Sequence, residues 1–263
     1  MMNLIFEKYH GTGNDFILMD DRENKLQLSK EQIEFLCHRR FGIGADGLLL
    51  LRSSVSYDFE MVYYNSDGLP GSMCGNGGRC IAAFAFKKGI VKNNMRFIAA
   101  DGPHEAEIIS SDPMEVRLQM SDVSVVEKNS DFYFLDTGSP HVVKFLREID
   151  VLDVVAEGRK VRYNDRFREK GTNVNFVVDK EAEIFVRTYE RGVEDETLSC
   201  GTGVTASALA ASIMGVLKSG SESCNVRTPG GLLRVYFKPT ETGFNQIYLQ
   251  GPAQFVFSGS VNL

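Results

Sequence analysis

Long apolar runs are missing from this chain. No stretch approaches the roughly 20 residues that a membrane-spanning helix needs, and the first residues hold neither a basic segment nor an apolar run to act as an export signal. A cytoplasmic location with no membrane partner is therefore expected. Positive charge is scarce as well: 29 Lys and Arg stand against 35 Asp and Glu, for a net charge of −6. With no basic stripe, a nucleic-acid partner is not expected, and His38-Arg39-Arg40 reads as a solvated helix end. Histidine is limited to four residues, with no His-x-x-x-His or HExxH pattern, and Cys74 and Cys80 are spaced more widely than zinc ligands usually are. No metal site is expected. Five cysteines is an odd number in a chain large enough to build its own core, so reduced thiols fit better than a disulfide framework. No GK[ST] phosphate loop or lysine-centred pyridoxal signature stands out. Gly42-Ile43-Gly44-Ala45-Asp46-Gly47 satisfies G-x-G-x-x-G in letters only, since it follows a helical pattern and precedes a strand. A chemistry without cofactor is the expectation.

What is present is a duplication. Cys74-Gly75-Asn76-Gly77 and Cys200-Gly201-Thr202-Gly203 lie 126 residues apart, and each opens a segment that reads as a helix. The same shift aligns Ala82 with Ala208, Ala85 with Ala211, Gly89 with Gly215, Tyr63 with Tyr189 and Asn65 with Arg191. Both helices are alanine-rich and poor in charge, as buried helices should be. The expected fold is α/β of the α+β kind, with two pseudosymmetric domains, each a curved, mostly antiparallel sheet wrapped around a central helix. Residues 1–120 form the half carrying Cys74, residues 121–251 the half carrying Cys200, and a last strand near 252–263 is expected to return to the first half. A hairpin turns at His10-Gly11-Thr12-Gly13, Ser29 caps a helix over 30–40, and the first cysteine-led helix is placed over 77–88.

A thiol at a helix N-terminus faces unsatisfied N–H groups and the positive end of the helix dipole, which lowers its pKa from about 8.5. Adjacent glycines let main-chain donors approach a carboxylate closely. One such thiol has packing as its simplest explanation. Two symmetric copies point to an acid/base pair, Cys74 and Cys200, flanking one carbon in a cleft between the halves and inverting it. Cys37, Cys80 and Cys224 read as inert buried thiols. Asn14, Asn65, Asn173, Glu190 and Arg191 look like a ligand shell around that pair, and His141 is a candidate for adjusting a thiol.

Five segments carry a family resemblance: HGTGNDF at 10–16, GIGADG at 42–47, YNSDG at 64–68, MCGNGGRC at 73–80 and YERGVEDETLSCGTG at 189–203. With them the chain resembles the diaminopimelate epimerases over nearly its whole length. The resemblance implies a cofactor-independent isomerase of lysine and peptidoglycan-precursor biosynthesis, assembled as a homodimer, with Cys74 and Cys200 as acid and base. It implies that Gly75-Asn76 and Gly201-Thr202 bind the reacting carboxylate through main-chain N–H groups. Asn14, Asn65, Asn173, Glu190 and Arg191 are implied to contact the rest of diaminopimelate, with His141 and Glu190 tuning the thiols. Ser139 stands where many relatives carry asparagine, and Gly47 where some carry glutamine; a water could fill either gap. Two alternatives remain: a proline or hydroxyproline racemase on the same fold, and a non-catalytic amino-acid-binding or thiol redox protein.

Overall fold

In a computed structural model that describes residues 3–263, the chain divides into two compact units, 3–118 with Gly251–Leu263, and Gln119–Gln250. The first unit runs β1 (Asn3–Gly11), β2 (Asn14–Asp20), α1 (Lys30–Cys37), β3 (Gly47–Arg52), β4 (Phe59–Asn65), α2 (Gly75–Lys87), β5 (Asn94–Ala99), β6 (Gly102–Ser111) and β7 (Met114–Gln119). The second runs β8 (Val126–Lys128), β9 (Tyr133–Asp136), β10 (Pro140–Phe145), α3 (Val154–Arg162), β11 (Asn173–Asp179), β12 (Ile184–Glu190), β13 (Asp195–Thr197), α4 (Gly201–Met214), β14 (Ser223–Thr228), β15 (Gly231–Pro239) and β16 (Phe244–Pro252). A final strand, β17 (Gln254–Asn262), belongs to the first unit and pairs antiparallel with β1.

The two units repeat one pairing scheme. Across β17-β1-β2-β3-β4-β5-β6-β7, only β2–β3 and β4–β5 are parallel. Across β8-β9-β10-β11-β12-β14-β15-β16, the parallel pairs again fall third and fifth, at β10–β11 and β12–β14. Thus β17 gives the first sheet what β8 gives the second, although it comes from the opposite end of the chain.

Each sheet carries one buried helix. In α2 every residue from Gly75 to Ala85 is buried, and α4 is buried from Gly203 to Ala211. Such helices need no polar face, and Ala, Cys and Ser allow the sheets to close around them. Both end as the sequence suggested, with Gly89 at φ 68° and Gly215 at φ 79° in the left-handed region that favours glycine. The start of α2 differs from the sequence expectation. It begins at Gly75 rather than 77, because Cys74 is the extended N-cap residue and the glycine run is held helical by its neighbours. A Cβ on Gly78 would come within 2.5 Å of Met73 Cε and 2.9 Å of Leu118 Cδ2, so tertiary packing overrides glycine's weak helix propensity.

Helix α1 opens with a capping box between Ser29 and Gln32, but stops at Cys37 because His38 is extended; the expected run to residue 40 is too long. Helix α3 was not evident in the sequence, since it buries only Val154 and Gly158. Gly158 is fixed there by a close approach: a Cβ would lie 2.4 Å from Tyr189 Cβ.

Candidate active site

The β1–β2 hairpin turns at Thr12 and Gly13, with φ of 50° and 87°, and Gly11 pairs with Asn14. Two positive φ values in a two-residue loop match the twist of the flanking strands. The turn delivers Asn14 to the N-terminal end of α2. There Cys74 is the N-cap residue, at φ −115° and ψ 124°, and its side chain makes no capping bond to the helix. The half-buried thiol instead donates to Asn14 Oδ1, with Sγ 3.6 Å away. Asn76 Nδ2 donates to that same oxygen at 3.2 Å, while Asn14 Nδ2 donates to Asp46 Oδ2 at 2.7 Å.

Behind this sits a charged frame in which Lys8 and Arg39 each pair with Asp15 at 2.7 Å and Arg39 also pairs with Asp46 at 2.6 Å. Burial pushes the Asp15 carboxyl up, but the bonds from Arg39 and Lys8 outweigh it and hold the group well below the usual carboxylate range. Asn65 closes β4 in register with Gly47, which is in turn in register with Phe16, so Asn14 and Asn65 lie at the same end of the two strands that flank β3.

Cys200 occupies the matching place in the second unit. It is the N-cap of α4 at φ −112° and ψ 112°, again without a capping bond, and is 8% exposed. Its Sγ lies 3.4 Å from Thr202 Oγ1, and Thr202 Oγ1 lies 2.9 Å from His141 Nε2. The other ring nitrogen settles the tautomer. Asn175 Nδ2 faces the Val142 carbonyl at 3.0 Å and His141 Nδ1 at 3.1 Å, so Nδ1 accepts and Nε2 carries the proton. His141 therefore donates to Thr202, whose hydroxyl lies against the Cys200 sulfur. Burial drives the imidazole pKa down to about 3, helped by the Arg191 charge, so His141 is neutral near pH 7.

A second cluster adjoins it. Asn173 Nδ2 donates to Ser139 Oγ at 3.0 Å, the Arg191 backbone N–H donates to Asn173 Oδ1 at 2.8 Å, and Arg191 Nη2 reaches Ser139 Oγ at 3.4 Å. Glu190 accepts from Thr197 Oγ1 at 2.8 Å. In both helices the first intrahelical bond comes from the fourth residue after the cysteine, Gly78 N–H to Cys74 O at 2.7 Å and Val204 N–H to Cys200 O at 2.8 Å. The N–H groups of Gly75-Asn76 and Gly201-Thr202 thus have no acceptor within their helices. Each pair is suited to an anion beside the thiol.

The sequence profile of the diaminopimelate epimerase family matches residues 6–126 and 133–256. The diaminopimelate epimerase of Flavobacterium psychrophilum is 50% identical over 97% of this chain and 98% of its own length. The chain belongs to the diaminopimelate epimerase family. It is therefore an isomerase. The Chlorobaculum tepidum diaminopimelate epimerase is 43% identical over 96% of this chain and 99% of its own. Among solved structures, a PhzF-family phenazine biosynthesis protein of Bacillus anthracis aligns at TM-score 0.76 with 14% identity, covering 100% of both chains. A hydroxyproline epimerase from Agrobacterium vitis aligns at 0.69 with 15% identity, covering 99% of this chain and 93% of the other. At that identity these two show the shared fold alone.

Within this epimerase, Asn14, Asn76 and Cys74 form one bonded group in the first unit. Thr202, His141 and Cys200 form another in the second, beside the Asn173–Ser139–Arg191 cluster. Asn175 was missed, because an asparagine inside an apolar strand gives no local signal of what it faces; it is 0% exposed and orients His141. At Gly47 no gap remains for a water. A Cβ on Gly47 would meet Tyr63 Cε2 at 2.5 Å and the Tyr64 carbonyl at 2.6 Å, so the tyrosine ring already fills that space. Ser139 Oγ is bonded by Asn173 and Arg191. Among the described residues, no three His, Cys, Asp or Glu groups come together as metal ligands would, and no helix is long and apolar enough to cross a membrane.

Proposed function

We propose that the chain interconverts LL- and meso-2,6-diaminopimelate with Cys74 and Cys200 as the acid/base pair, without a cofactor. One observation carries this reading. Each repeated unit sets its cysteine at the N-cap of a buried helix with the thiol not spent on capping, next to main-chain N–H groups that have no acceptor within the helix. Those N–H groups hold the reacting carboxylate and stabilise the charge that develops as the α-proton leaves. Asn65, Asn173, Glu190 and Arg191 take the polar groups of the distal end, where the Arg191 guanidinium suits the second carboxylate. Asn14 keeps one N–H for the ligand after its bond to Asp46.

The two thiols are not equivalent in their surroundings. Cys200 faces a hydroxyl able to donate to a thiolate, whereas Cys74 faces an amide oxygen that can only accept, which favours thiol. Cys200 then takes the α-proton of one isomer and Cys74 returns a proton from the opposite side, with the roles exchanged for the reverse reaction. His141 and Glu190 act on the thiols' surroundings, His141 as a neutral donor. The chain works as a cytoplasmic homodimer in the supply of lysine and peptidoglycan precursors. Ile5, Phe255, Val256 and Phe257, exposed on the two faces of the β1–β17 pair, are available to a second copy.

The test is chiral chromatography after incubation with LL-diaminopimelate and, separately, with L-proline. Conversion of the first and not the second is expected. Racemised proline with untouched diaminopimelate refutes the substrate; no turnover of either refutes catalysis.

A further inference from the structure

We infer that Arg79 is a positioning residue for the Cys74 thiol, acting through Asn76 and Asn14. The inference rests on the reading of Cys74 as a proton-transfer group. Arg79 lies in the second turn of α2 and is 0% exposed. No ion pair among the described residues includes it. Its donors go to three neutral oxygens: Gly75 O at 3.2 Å, Asn76 Oδ1 at 3.0 Å and Pro252 O at 3.4 Å. A buried guanidinium without a carboxylate is expensive, and an apolar side chain of similar volume would pack at less cost.

The repeat shows that carbonyl capping does not explain the charge. Thr205 stands 126 residues on, is 0% exposed, and its hydroxyl donates to Gly201 O at 3.0 Å, the counterpart of the Gly75 contact. A neutral group suffices there. What Arg79 adds is its grip on Asn76 and a positive charge, five residues on from Cys74, whose field reaches that thiol.

The grip fixes a chain of amides. Arg79 only donates, so Asn76 must turn its oxygen inward and its NH2 group towards Asn14. Asp46 only accepts, so Asn14 must turn its NH2 group to Asp46 and its oxygen to Asn76 and the thiol. With a donor at one end and a carboxylate at the other, the amide at Cys74 has one orientation. The hairpin packs over this chain, since a Cβ on Gly11 would sit 3.1 Å from Arg79 Nη2 and 3.2 Å from Asn76 O.

The charge acts on the thiolate that proton transfer leaves behind. When Cys74 gives up its proton, its sulfur gains a buried cation nearby, in surroundings that screen it little. Nearby charges do not cancel that cation. Asp15 is committed to Lys8 and Arg39, and Asp46 to Arg39. On β1, Glu7 pairs with Lys88 and accepts from Tyr9. The Cys80 thiol beside Arg79 is kept neutral, because burial pushes it up to about 12.

The test compares wild type with Arg79→Met and Arg79→Lys. It measures kcat and KM for diaminopimelate, and the pH profile of Cys74 alkylation by iodoacetamide, with peptide fragmentation separating Cys74 from Cys80. Arg79→Met should cut kcat roughly tenfold or more with KM nearly unchanged, and move the Cys74 alkylation midpoint up by about half a pH unit or more. Arg79→Lys should restore the midpoint and recover part of kcat. A folded Arg79→Met chain with an unmoved Cys74 profile overturns the inference, whatever its kcat. If that variant does not fold, Arg79→Gln, which keeps a donor and drops the charge, carries the same two readings. The alkylation profile needs no substrate, so it judges Arg79 even if wild type proves inactive on diaminopimelate.

Discussion

His141 gives the most quantitative expectation. Buried against Thr202 and Asn175, it has a pKa near 3 in the folded chain, against an ordinary 6.5. Between those values the unfolded chain binds a proton that the folded chain does not. Stability must therefore rise with pH across that window, be fully present above about pH 7, and fall as the pH drops towards 3. Each unit of pH inside the window is worth about 1.4 kcal/mol, so lowering the pH from 7 to 5 should cost about 2 kcal/mol at this residue alone. Other groups titrate as well, and for that reason the comparison is with His141→Gln. Equilibrium urea unfolding of both chains at pH 7 and pH 5 isolates the residue, because contributions from distant carboxylates and the other histidines are common to both. Wild type should lose about 2 kcal/mol more than the variant. Equal losses would refute the neutral, buried imidazole and the donor chain from Asn175 to Cys200.

Three further outcomes are expected. Cys74→Ala and Cys200→Ala should each lower net epimerisation by about 100-fold or more, read by chiral chromatography; substantial turnover by either single variant would defeat the two-thiol scheme. Gly203→Ala places a Cβ 2.4 Å from Asn175 Oδ1 and 3.3 Å from His141 Cε1, so it should cost about 1–3 kcal/mol of stability and disturb the His141–Thr202 bond; unchanged melting and kcat would contradict the packing. Gly47→Gln meets Tyr63 and the Tyr64 carbonyl and should also destabilise by about 1–3 kcal/mol, whereas a neutral change would restore the idea of an open gap.

The repeated cysteine motifs, the closing glycines and the charge-poor helices make both buried helices legible in the sequence. Those features are local or recur at one fixed spacing. Helix α3 escaped notice because its buried face is two residues, too little for a periodic signal. The early start of α2 escaped because Gly75, Gly77 and Gly78 argue against a helix until Met73 and Leu118 are packed around them. The candidate site divides in the same way. The thiols and the asparagine after the hairpin follow from sequence position, but Asn175 and Arg79 do not. Their contacts depend on which face of a strand or helix meets His141 or Asn76, and that is decided by the sheet register.

The most direct test of the two-thiol claim is an early time course with LL-diaminopimelate in D2O. Two thiols acting from opposite sides predict meso product with one deuterium at the inverted centre, while recovered LL substrate stays protiated. Equal label in product and recovered substrate, or product that keeps the original proton, would contradict it.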